Sequence, residues 1–156
     1  MYEKEIQGIL KSLLQGKGSA GRNIDINIEK LITLSLKQMS VGYDSALYMA
    51  GYRSGESFVQ GLEIRDESGL KKNLELMFNR SGMGDAEISG NNPVILKVKK
   101  SSTCYGIQSS QKPVCFFKAG FFAGAVSSIK GKKVPCVEKK CHAKGDDHCE
   151  FEINVQ

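Results

Sequence analysis

The chain has 156 residues, 40% of them apolar, which is room for one domain of ordinary size with a packed core. No apolar run approaches the ~20 residues of a membrane span, and the charged start Met-Tyr-Glu-Lys-Glu-Ile lacks a secretory apolar stretch, so a cytoplasmic location is expected and a membrane partner is not. Residues 1–90 hold 11 Lys+Arg against 12 Asp+Glu and residues 91–156 hold 11 against 5, but without aromatic–basic interleaving or a recognition-helix signature a nucleic-acid partner is not expected either.

Ile6, Ile9, Leu10, Leu13 and Leu14 recur at helical spacing, predicting a short amphipathic helix that Gly16, Gly18 and Gly21 interrupt. Residues 1–20 are thus expected to be an N-terminal helix and linker, with the domain proper over 21–156. Ile24 and Ile26 alternate with polar neighbours, an extended lead into a helical pattern at Ile28, Leu31, Ile32, Leu36 and Met39. A further helix is predicted from near Asp44, a candidate N-cap, to about Leu62. Another starts near Asp66, with Leu70, Leu74, Met77 and Phe78 on one face, and ends at Gly82 and Gly84.

The pattern then changes. Val94, Leu96 and Val98 alternate with Ile95, Lys97 and Lys99, a strand that could continue through Thr103 to Gly106. A helix is predicted from near Pro113 to about Ile129, stopped by Gly131. Lys133 to Glu138 reads as a strand. Asp146 and Asp147 make a turn in which Gly145 supplies an unusual backbone angle, and Cys149, Phe151, Ile153 and Val155 alternate as a last strand. One internal echo crosses these elements: Ala50-Gly51-Tyr52-Arg53-Ser54-Gly55 matches Ala119-Gly120-Phe121-Phe122-Ala123-Gly124 as A-G-aromatic-x-small-G. Glycine inside a helix costs roughly 1 kcal/mol against alanine, so four such glycines point to helices packed at close approach.

All five cysteines lie in the last third, at 104, 115, 136, 141 and 149. An odd number argues against a complete disulfide framework, and lysines 139, 140 and 144 flank Cys141, where positive charge helps keep thiols deprotonated. Cys115, Glu138, Cys141 and Cys149 offer three sulfurs and one oxygen, the number and kind of donor a tetrahedral zinc ion takes. One ion would then pin a helix start, two strands and the loop between them. Spacing alone also permits His142 or His148 in place of Glu138, and permits ordinary buried thiols, the role expected of Cys104 and Cys136.

The stretch from Cys115 to Phe151 resembles the 4-vinyl reductase (4VR) domain family, whose pattern is a cysteine, a Gly-rich aromatic helix and then E-x-x-C-x-A-x-G-x-x-x-C-x-F. Cys115, Ala119-Gly120, Gly124, Glu138, Cys141, Ala143, Gly145, Cys149 and Phe151 occupy those places, and Ala50-Gly51 with Gly55 matches the family's upstream A-G-x-x-x-G helix. The resemblance covers roughly Arg22 to the end.

It implies an α+β fold in which helices pack on an antiparallel sheet, akin to vesicle-tethering Bet3-like proteins and often dimeric. It implies a structural zinc on Cys115, Glu138, Cys141 and Cys149, as in the related domain of phenol-sensing transcription activators. It also implies a pocket for an apolar, aromatic or hydrocarbon ligand near Ala119 and Cys136, with Phe122 among the aromatics crowding the same helix.

The expected function is a stand-alone small-molecule sensor or carrier acting through a partner protein, with zinc as a fixed pivot. Two alternatives stand beside it: an accessory role in tetrapyrrole vinyl reduction, and a protein-interaction adaptor. No G-x-G-x-x-G after a strand, phosphate loop or flavin signature is present, so an enzyme is not expected.

Overall fold

The computed structural model describes the chain except for residues 1–7, 10, 13, 16–30, 33–34, 37, 39–41, 105–106, 108–109 and 156. Helix α1 spans Tyr43–Gly61, α2 Glu67–Ser81 and α3 Phe116–Lys130. Strands β1 (Asp85–Ser89), β2 (Val94–Lys99), β3 (Val137–Lys140) and β4 (Cys149–Ile153) form one antiparallel sheet in the order β1-β2-β4-β3. This is the expected α+β arrangement. Upstream, Gly8, Ile9, Lys11, Ser12 and Leu14 are helical, as are Leu31, Ile32, Ser35, Leu36 and Gln38. The other positions of those two predicted helices, the extended segment around Ile24 and the boundary near residue 20 lie outside the described residues.

Helix α3 is the centre of the molecule. Every residue from Lys118 to Ser127 is buried, the mark of a helix wrapped on all sides. Its glycines explain how α1 comes so near. A Cβ on Gly120 or Gly124 would lie 2.0 or 1.9 Å from the carbonyl oxygen of Tyr48 or Tyr52 on α1, and one on Gly51 or Gly55 would lie 2.1 Å from that of Phe117 or Phe121 on α3. The A-G-aromatic-x-small-G echo is therefore a two-sided backbone contact. Phe121 also meets Phe58 of α1 and Phe78 of α2, with ring centroids 5.5 and 6.1 Å away.

Helix α2 follows its signals closely. The Asp66 carboxylate accepts the Gly69 amide at 2.7 Å, Leu70, Leu74, Met77 and Phe78 are buried, and Gly82 closes the helix at φ 73°. In the sheet, Val94, Leu96 and Val98 of β2 and Cys149, Phe151 and Ile153 of β4 face the core.

Several boundaries differ from expectation. Helix α1 starts beyond Gly42, which occupies the N-cap, so Asp44 sits in the first turn instead. Strand β2 ends at Lys99 rather than running to Gly106: Lys100 adopts φ 50° and the Ser102 amide donates to the Met83 carbonyl at 3.1 Å, which folds 101–104 into a turn. Helix α3 begins at Phe116, with Cys115 rather than Pro113 at its boundary. Residues 133–136 are not strand, because the Val134 amide donates to Ser127 Oγ at 3.0 Å and the Cys136 amide to Tyr48 Oη at 3.1 Å. Strand β4 stops at Ile153, before Val155, and β1 was not anticipated. No helix among the described residues is long and apolar enough to cross a membrane.

Candidate metal centre

Four cysteines converge where the ends of these elements meet. Cys104 comes from the turn after β2, Cys115 from the start of α3, Cys141 from just past the end of β3 and Cys149 from the first position of β4. All four are buried, none is in a disulfide, and their sulfurs lie within 4.8 Å of one another. The Sγ separations are 3.2 Å for Cys104–Cys149, 3.6 Å for Cys104–Cys115 and 3.8 Å for Cys115–Cys149. A zinc ion bound tetrahedrally at ~2.3 Å to each sulfur sets neighbouring sulfurs about 3.8 Å apart, so the cluster is close to ligating size.

The loop between β3 and β4 is tied in place. The Cys141 amide donates to Asp146 Oδ2 at 2.8 Å, the Lys144 amide to the Cys141 carbonyl at 2.8 Å and the Gly145 amide to the His142 carbonyl at 3.0 Å. Gly145 takes φ 103°, the unusual angle its position called for. The His142 amide donates to Cys149 Sγ at 3.5 Å, an outer contact that supports a thiolate.

Packed this tightly, the thiols cannot all ionise independently. Cys104 is held far below the ordinary thiol range by hydrogen bonds from Cys115, Cys141 and Cys149, while Cys115 and Cys149 are pushed up, first through their bonds to Cys104. One thiolate solvated by S–H donors is what a cation would replace. Glu138 completes the picture. Its Oε2 accepts the Cys115 amide at 3.0 Å, whereas its Oε1 is buried with no hydrogen-bond partner among the described residues. Burial, then the field of Cys141, pushes this carboxyl up to about 8. Four buried sulfurs at ligating separation beside an orphaned carboxylate oxygen fit a thiophilic dication.

The vinyl-4-reductase domain model matches residues 94–155. A relative from Methanocaldococcus jannaschii, uncharacterized protein MJ0745, is 31% identical over 151 residues, covering 97% of this chain and 80% of its own. The chain belongs to the vinyl-4-reductase domain family. Among solved structures, a vinyl-4-reductase family protein from Methanocaldococcus jannaschii has a TM-score of 0.69 at 24% identity, covering 100% of this chain and 96% of the other. The phenol-responsive sensory domain of the transcription activator PoxR, solved with phenol, has 0.66 at 13%, covering 96% and 89%. A trafficking protein particle complex subunit 3 from Naegleria fowleri, covalently bound to palmitic acid, has 0.60 at 16%, covering 94% and 96%. At these identities the likeness is one of fold, and this chain shares it with both the sensory domain and the trafficking subunit.

Within this vinyl-4-reductase domain the predicted site residues divide. Cys115, Cys141 and Cys149 meet as a group, and Glu138 stands at the group's edge. Cys104, expected to be an ordinary apolar thiol, is instead the fourth sulfur, because the chain turns at Lys100 and carries it back beneath the start of α3. The early end of β2 hid this, and no spacing rule flags a lone cysteine in a turn. Cys136 is buried away from the cluster, and its thiol is raised by that burial. His148 lies between Asp147 and Glu150, with Nδ1 2.5 Å and Nε2 3.3 Å from their carboxylates, and neither histidine belongs to the four-residue cluster.

Of the predicted pocket residues, Phe122 lines a narrow apolar cleft with Leu70, Leu74, Ile88, Val94 and Val126, whose volume of about 10 Å³ holds roughly one water. Ala119 and Cys136 are buried but do not line that cleft. A residue that sequence reasoning passed over is Lys118, buried in the first turn of α3 next to the cluster.

Proposed function

We propose that this vinyl-4-reductase domain is a zinc-stabilised receptor for a small apolar or aromatic molecule, working as a sensor or carrier that passes its state to a partner protein, and that it acts as a homodimer. The observation carrying this reading is the double role of α3. The helix begins at a cluster thiol, Cys115, and one turn or two later presents Phe122 and Val126 to the apolar cleft against α2 and β2. Anything that widened the cleft would shift a helix whose first residue a metal holds fixed. The PoxR sensory domain with phenol and the trafficking subunit with palmitic acid support an apolar ligand on this fold.

For the metal, the proposed ion is zinc, held by Cys115, Cys141 and Cys149 with a fourth donor. The sequence pattern offers Glu138 for that place, and the Sγ separations favour Cys104. When bound, the ion supplies a cross-link rather than a reactive centre, since all donor positions are filled from the chain.

Native mass spectrometry of the protein purified without a metal-affinity tag tests both halves. One zinc per chain, a dimer and a retained apolar small molecule are expected. Protein that carries its zinc but binds none of a panel of phenols, alkanes and fatty acids would refute the receptor reading while leaving the metal site intact.

A further inference from the structure

Lys118 is in the first turn of α3 with only 2% of its surface exposed. This is an unfavourable place for a cation twice over. The helix dipole favours negative charge at an N-terminus, and burying an ammonium group without a counter-charge costs several kcal/mol. Its Nζ donates to three hydroxyls, Ser101 Oγ at 3.0 Å, Ser102 Oγ at 3.0 Å and Thr103 Oγ1 at 2.7 Å. These are dipoles, not charges, and no carboxylate among the described residues lies within ion-pair distance of it.

The three hydroxyls point to two different acceptors. Ser101 Oγ lies 3.6 Å from Cys115 Sγ, so its proton can serve the thiolate cluster. Ser102 and Thr103 have no such acceptor: each takes a hydrogen bond from the lysine, and neither hydroxyl proton has a partner among the described residues. Both residues and Lys118 instead line a cavity of about 250 Å³ whose other walls are Leu47, Met83, Val114 and Phe117. A hydroxyl that accepts from an ammonium group is a strengthened donor. The cavity therefore has a polar end, one cation with two polarised O–H donors, and an apolar remainder. Its size is just below the ~300–1,000 Å³ of sites for drug-sized molecules.

We propose that this cavity binds a small organic acid, with the carboxylate held by the Ser102 and Thr103 hydroxyls against the charge of Lys118, and the apolar body lying between Leu47, Met83, Val114 and Phe117. The inference goes beyond the receptor function and does not depend on it. The cavity is not the cleft lined by Phe122, and its assignment rests on the surroundings of one lysine.

Calorimetric titration of the zinc-loaded protein with benzoate, and with benzamide as the uncharged isostere, tests it. Benzoate is expected to bind once per chain, and benzamide at least about tenfold more weakly, because hydrogen bonds to a charged group are the stronger ones. Lys118→Met should lose about tenfold or more in benzoate affinity. Should that variant not fold, the pair Ser102→Ala and Thr103→Val, which keeps the lysine, should weaken benzoate severalfold, and Leu47→Trp, which fills the mouth, should block it. Absence of benzoate binding, equal binding of benzamide, or affinity unchanged in Leu47→Trp or in the hydroxyl variants would overturn the assignment.

Discussion

Replacing Gly124 by alanine is the sharpest test of how the helices are held. The new Cβ would sit 1.9 Å from the Tyr52 carbonyl oxygen. An ordinary carbon–oxygen contact is about 3.3–3.6 Å, so the two backbones must part by roughly 1.5 Å locally. A carbonyl on a helix has no rotamer to change, and the separation also strips contacts from Phe121, which packs between Phe58 and Phe78. Overpacking of this kind costs about 1–3 kcal/mol, and a backbone obstacle on both sides puts it at the upper end. Alanine returns about 1 kcal/mol of helix propensity.

The balance is a loss of about 2 kcal/mol, which at this chain length lowers Tm by roughly 4–8 °C. Gly8→Ala is the opposite case. It is helical and exposed, and its Cβ would meet nothing within 4 Å, so a gain of up to about 1 kcal/mol is expected. Thermal melts followed by circular dichroism, both variants zinc-loaded, decide the matter. If Gly124→Ala melts at or above the parent temperature, the close approach of α1 and α3 is not what the glycines are for.

Other outcomes follow from the same geometry. Cys141→Ser should lower bound zinc well below one per chain by metal analysis and raise the protease sensitivity of the segment after residue 94, while α1 keeps its far-ultraviolet signal. In protein stripped of metal, Glu138 has a folded-state carboxyl raised to about 8 above its ordinary 4.5, so its contribution is present below 4.5 and is lost as pH rises through 8. Metal-free parent should therefore weaken by on the order of a few kcal/mol between pH 5 and 8 relative to Glu138→Gln. Urea titrations at the two pH values measure this, and an equal change for both proteins would refute it. Asp66→Ala removes the cap on the Gly69 amide and should cost about 1 kcal/mol, or roughly 2–4 °C in Tm.

What could be read from the sequence was whatever a local rule encodes. Asp66 and Gly82 bracket α2 because a cap and a left-handed stop act on their immediate neighbours. The alternation in 94–99 and 149–153 survives because a buried face repeats every second residue. The failures occur where a distant partner decides. Residues 133–136 carry strand-like alternation, but their amides are claimed by Ser127 and by Tyr48, the latter 88 positions away. Strand β1 has only Ile88 fully buried, a signal too thin to read between flanking glycines. Cys104 and Lys118 had no visible role because both depend on the 101–104 turn, and that turn is set by the Ser102–Met83 hydrogen bond. The metal ligands on either side of the β3–β4 loop were legible as a spacing, since chain distance there is short enough for the loop to fix the geometry.

The fourth donor is where sequence pattern and geometry pull apart, and cobalt(II) can separate them. Five donors surround a position that takes four: Cys104, Cys115, Cys141, Cys149 and Glu138. Glu138 already spends Oε2 on the Cys115 amide, and binding through Oε1 would satisfy the orphaned atom. Cys104 needs no movement, with its sulfur 3.2 and 3.6 Å from two of the others. Sulfur-to-cobalt charge-transfer absorption grows with the number of thiolates, while a carboxylate adds nothing to it. With four thiolates, Cys104→Ser should remove about a quarter of that band and Glu138→Gln should leave it intact while altering the pH at which metal is lost. An unchanged band in Cys104→Ser, with metal lost from Glu138→Gln, would instead give the fourth place to the carboxylate and leave Cys104 as a thiol pressed against a completed site.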